Sequence, residues 1–214
     1  MTGRRAGRRA LRSAAEWRLL SMLLERPRPG WHEELLAVGR EVGDRRLNAA
    51  ATLAQQAREG EYLAVLGPGG ALSPREVAYC GKQDPGWVLA DLAGFYQAFA
   101  FRPAAEDPLD HVAVEVGFVG YLFLKEGFAR AAGDADAAAI TGRARRAFVS
   151  RHLAAIAAPL AQRLQTAGSS YLAAAAQLLA ARTPAPPPQA SLAELPDEAH
   201  ACGTCAALDT SAAE

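Results

Sequence analysis

Between residues 73 and 108 a capping side chain three times stands directly before a proline: Ser73-Pro74, Asp84-Pro85 and Asp107-Pro108. This order signals a helix start. The side-chain oxygen can accept from an orphan N–H of the first turn, and proline fixes φ where its missing N–H is not needed. Asp84-Pro85 is followed by Val88, Leu89, Leu92, Phe95, Tyr96 and Phe99, and Asp107-Pro108 by Val112, Val116, Val119, Leu122 and Phe123. Both sets repeat with helical rather than strand period. Composition points the same way: 50% of the chain is hydrophobic but only 7% aromatic, and much of the remainder is alanine. Alanine-rich sequence with few β-branched runs favours helix. No strand pattern and no repeat of fixed period is evident. The expected fold class is all-α, a single helical domain of roughly eight to ten helices followed by a disordered tail.

The expected elements follow from the same signals. A first helix spans 13–26, with Ser13 as its cap and Pro27 and Pro29 beyond its end. A second covers Trp31 to Val42, and Asp44 caps a third that Gly60 ends. The apolar strip Glu61–Leu66 runs into Gly67-Pro68-Gly69-Gly70 and is expected to be a loop over the core. Gly133-Asp134 breaks the chain, and a long pattern from about 136 to 166 is expected to kink or split at Pro159. Ser169 or Ser170 caps the last helix. Residues 183–214, opened by Thr183-Pro-Ala-Pro-Pro-Pro188, read as a Pro-rich linker and flexible tail.

Arg4, Arg5, Arg8, Arg9 and Arg12 make residues 1–12 a basic extension. A secretory signal would need an uninterrupted apolar run next, and Glu16, Arg18, Glu25 and Arg26 interrupt it. No segment approaches the ~18 apolar residues of a membrane span. The expected location is the cytoplasm, with no membrane partner. Lys+Arg and Asp+Glu each count 23, and a net charge of zero argues against a general nucleic-acid binder. A helical transcription regulator using the arginine-rich start is the alternative from another class.

The densest polar cluster is Glu106-Asp107-Pro108-Leu109-Asp110-His111. Asp107 and Pro108 suffice as a helix entrance, and Asp110 in the first turn would suit the helix dipole. Alternatively, Asp110 and His111 form a recognition patch beside the aromatic Phe95, Tyr96, Phe99 and Phe101, with the carboxylate suited to an arginine of a partner peptide.

The spacing Glu106-x-Pro108-x-Asp110-His111 resembles the E-x-P-x-D-H motif of the TorD/DmsD/NarJ chaperones. Other segments resemble that family in the same order: Glu61-Tyr62 leading to Val65-Leu66-Gly67-Pro68, Ser73-Pro74-x-Glu76 with Tyr79, Tyr96-x-x-Phe99-x-Phe101, and Phe148-x-x-x-His152-Leu153. The resemblance covers roughly residues 13–182. It departs where the family often has Trp after His-Leu, a place held here by Ile156 or Ala157, and where Val65-Leu66 replaces Leu-Phe.

The resemblance implies a TorD-like all-helical chaperone over residues 13–182, not an enzyme and without a cofactor of its own. It implies binding to the leader or N-terminal segment of a molybdopterin oxidoreductase catalytic subunit, with cofactor insertion and assembly before export. Asp110 and His111 would line the client site, with Glu106 and Pro108, the Tyr62–Pro68 stretch, Ser73, Pro74, Glu76, Tyr79 and Tyr96. Such chaperones occur as monomers or helix-swapped dimers.

In the tail, His200-x-Cys202-x-x-Cys205 has metal-ligand spacing. It supplies three ligands where a structural zinc takes four, with Asp197 or Glu198 as a weak fourth. Otherwise it is a pair of exposed thiols. Phosphate-loop, dinucleotide, zinc-protease and serine-hydrolase motifs are absent from the sequence.

Overall fold

The computed structural model describes residues 2–103 and 107–185. They form α1 (Thr2–Leu24), α2 (Trp31–Glu41), α3 (Arg45–Leu53), α4 (Glu59–Leu66), α5 (Pro85–Ala98), α6 (Val112–Ala132), α7 (Ala135–Phe148), α8 (Ala154–Leu164) and α9 (Ser170–Ala180). The all-α expectation holds: no strand occurs among the described residues, and the only β-type pairing is an isolated bridge between Arg75 and His111. None of these helices is long and apolar enough to cross a membrane.

The central pair is α1 lying along α6. Small residues let the two approach closely. A Cβ on Gly120 would stand 3.3 Å from the Arg18 backbone nitrogen and 3.4 Å from the Ala14 oxygen, and one on Gly127 would stand 2.7 Å from Leu11 Cδ2. Helix α7 packs on α6, while α9 packs on α8, α1 and α3. The enclosed core holds Leu19, Leu20, Leu23 and Leu24 of α1, Phe118 and Leu122 of α6, Phe148, and Tyr171 with Leu172 of α9. An aromatic nest joins three helices: Phe118 lies 4.9 Å from Tyr96 and 4.7 Å from Phe148, ring centre to ring centre. Edge-to-face contacts of this kind add to area burial.

Several element expectations are corrected. Helix α1 begins at Thr2, so the basic segment 1–12 is continuous with the first helix rather than an extension before it. Ala10 and Ala14 are buried, and Gly7 approaches Gly127 and Arg130 of α6, which anchors the early turns. The stretch 61–66 is helix α4, and the glycine-rich turn only ends it. Gly60 lies inside α4. Ser73-Pro74 opens no α-helix; a single 3-10 turn, Glu76–Ala78, follows. Asp107-Pro108 does not cap α6 either, whose N-cap is His111. The long pattern splits not at Pro159 but at a π-type turn, Val149–Leu153, where the Ala154 N–H reaches the Val149 carbonyl. Asp44, Asp84 and Asp134 do cap α3, α5 and α7 through their side chains. Ser169 precedes α9 as expected, but its hydroxyl donates to Glu61 Oε1 at 2.6 Å instead of being used as a cap. Glu106, the segment 186–214 and its His200, Cys202 and Cys205 lie outside the described residues.

Candidate functional site

Segment 73–79 and segment 108–112 run antiparallel for one bridge. The Glu76 N–H donates to the Asp110 carbonyl at 2.8 Å, and the Val112 N–H to the Pro74 carbonyl at 2.9 Å. This pairing delays α6 until Val112, because residues 110–111 must stay extended to meet residues 74–76. His111 then caps the helix: its Nδ1 accepts from the Ala113 N–H at 3.1 Å. An accepting Nδ1 leaves the proton on Nε2. The Nε2–H therefore donates to the Tyr62 oxygen at 3.0 Å, and that hydroxyl donates to the Leu24 carbonyl at 3.4 Å. One short chain of bonds so ties α6, α4 and α1 together. Burial, the dominant cause, holds His111 below its ordinary value of 6.5.

Asp110 is fully enclosed. Arg75 Nε donates to both its oxygens, at 2.9 and 3.2 Å, and the Val77 N–H adds a longer contact at 3.4 Å. The carboxylate that the sequence offered as suited to a partner's arginine is held here by an arginine of the same chain. His111 is buried as well. The other expected site residues divide into two groups. Tyr62, Ser73, Pro74, Glu76, Tyr79 and Tyr96 join this frame, with Tyr79 donating to the Ser73 carbonyl at 2.7 Å and Tyr96 to the Leu109 carbonyl at 2.9 Å. Val65 and Leu66 face the core, Gly67 is buried in the turn after α4, and Pro68 and Pro108 are exposed. Gly67 is required there: a Cβ would fall 2.6 Å from the Leu63 carbonyl oxygen.

Behind the frame lies a buried acid–base cluster that sequence reading did not find. His152 Nδ1 faces Glu76 Oε2 at 3.0 Å, and its Nε2 faces Asp91 Oδ2 at 3.0 Å. Asp91 also takes Arg151 on both oxygens, at 3.0 and 2.9 Å. Glu115 sits in the same interior with neither carboxyl oxygen hydrogen-bonded. Burial first, then Glu76 and Asp110, hold it well above its ordinary 4.5. Burial likewise pushes the Cys80 thiol up to about 12, which makes it inert as a nucleophile. His152 is thus a buried group that bridges Glu76 and Asp91. None of these groups adjoins an open reaction space.

The open space is elsewhere. A groove of about 910 Å³ lies along α1 and α6, and residues 101–103 and 107 also line it. Its floor is apolar and built from small residues, including Ala14, Ala15, Val114 and Gly117, with Tyr121 and Leu124 at the side. Its rim is charged. Arg18 holds Glu25 at 2.6 Å and Arg26 holds Glu59, whereas Glu41 and Asp107 form no salt bridge among the described residues. Among the described residues, the carboxylate of the polar cluster that fronts the groove is thus Asp107, which sequence reading had assigned only to capping. Among the described residues no group of three or more His, Cys, Asp or Glu side chains could hold a metal ion.

A family model described as "Nitrate reductase delta subunit" matches residues 30–162. No curated protein and no solved structure matches the chain.

Proposed function

The chain belongs to the nitrate reductase delta subunit family, a family of molybdoenzyme maturation chaperones rather than catalysts, and we propose that it holds the N-terminal segment of a molybdenum-dependent catalytic subunit in the α1/α6 groove. The groove itself carries this reading. A basic-then-apolar leader needs an apolar trough with unpaired carboxylates at its mouth. Ala14, Ala15, Val114 and Leu124 offer the trough, and Asp107 and Glu41 offer the carboxylates. The Asp110–Arg75 and His111–Tyr62 pairs lie outside the groove's lining, and in this reading they hold the fold without touching the client. In this role the chain keeps the apo-subunit available in the cytoplasm for cofactor insertion, before assembly or export, and holds no cofactor itself.

The experiment is co-purification from the native cell, with mass spectrometry of the protein that accompanies the tagged chain. A molybdopterin-type catalytic subunit is the expected companion. Recovery of nucleic acid in its place would support the helical-regulator alternative and overturn this one.

A further inference from the structure

The charges of this chain are segregated. The first twelve residues hold Arg4, Arg5, Arg8, Arg9 and Arg12 and no acid. Residues 186–214 hold Glu194, Asp197, Glu198, Asp209 and Glu214 and no lysine or arginine. What lies between is balanced.

Because α1 begins at Thr2, the arginines lie on a rigid surface. Arg5, Arg8, Arg9 and Arg12 are exposed. At about 100° per residue they occupy roughly a third of the helix circumference, opposite the face through which Gly7, Ala10 and Ala14 meet α6. None of the four forms a salt bridge or a side-chain hydrogen bond among the described residues, and the first turn has no acid to offset them. Four cations here oppose the helix dipole, which disfavours positive charge at this end. Exposed and without an acidic neighbour, they are open to an anionic partner. The apolar side of α1 is already committed to α6, which leaves no face to insert into a lipid surface.

We propose that residues 186–214 bind back onto the arginine face of α1. Charge complementarity selects this occupant, and reach allows it. The described chain ends just after α9, which packs on α1. A segment of this length can reach at most about 100 Å, well beyond the roughly 35 Å length of α1. The acidic segment then covers the face against other polyanions, a contact set by charge and screened by salt.

Thiols report on it directly. Cys80 is buried, so a nitroxide reagent on the full chain labels Cys202 and Cys205. At about 0.01 M salt the amides of residues 5–12 should broaden. They should recover at about 1 M, where the Debye length is only about 3 Å, and in a full-length variant carrying E194Q, D197N, E198Q, D209N and E214Q. The same variant should bind heparin at least tenfold more tightly than the native chain. Broadening no greater than that of α5 and α8, broadening that survives neutralisation of the acids, or equal heparin affinity of the two chains would each overturn the proposal.

Discussion

Removing the Asp110 carboxylate takes from Arg75 its two-pronged partner and from Val77 an acceptor. Arg75 is 43% exposed and regains water, so the loss is moderated. Asp110→Ala should lower unfolding free energy by about 1–3 kcal/mol in urea titrations, and should weaken client binding only through that loss. Two neighbouring groups give opposite pH signatures. His111 is depressed in the fold, so below its ordinary 6.5 the unfolded chain takes up a proton that the fold resists. The stability it lends is present above that pH and falls as pH drops. His111→Asn keeps an N-cap for α6 and should remove this acid-side decline. Glu115 is raised, so its contribution is full below its ordinary 4.5 and is lost as pH rises through the folded value. Glu115→Gln should flatten that decline and leave the protein more stable than the parent at alkaline pH. Chemical denaturation at stepped pH reads both slopes.

At the scale of elements, His152 is the joint. It lies in the π turn between α7 and α8 and reaches Glu76 beside the frame and Asp91 on α5. His152→Ala leaves Glu76 buried without its imidazole partner, and should cost about 1–3 kcal/mol, measured as a lowered urea midpoint with unchanged slope. Such joints explain what was legible in the sequence. Asp84-Pro85 was read correctly because α5 begins by local rules alone: a cap, a proline and a periodic face. Asp107-Pro108 carries the same local signal, yet α6 waits for Val112, because residues 110–112 are paired with residues 74–76 across a long sequence gap. Periodicity does not see such pairing. In α4, Tyr62, Val65 and Leu66 have helical spacing, and the glycine turn that follows is a stop rather than evidence against a helix. The candidate site was half legible for the same reason. The polar cluster was visible, but which of its carboxylates faces solvent depends on Arg75, which sequence reading passed over as part of a helix start.

For the whole molecule, the α1/α6 contact does two things at once. Glycines and alanines bring the helices close enough to seal a core on one side, and the same small residues leave a trough on the other. A groove made by rigid packing needs no large rearrangement to admit an extended or helical segment. Family membership gives the kind of client, and the groove is the place proposed for it. Calorimetric titration with a synthetic N-terminal segment of the co-purified catalytic subunit tests both together. Native chain should bind it, and the double variant Asp107→Asn, Leu124→Lys should bind at least about tenfold more weakly, ~1.4 kcal/mol, with an unchanged unfolding midpoint. Equal affinity of the two proteins would contradict the assignment of the client to this groove.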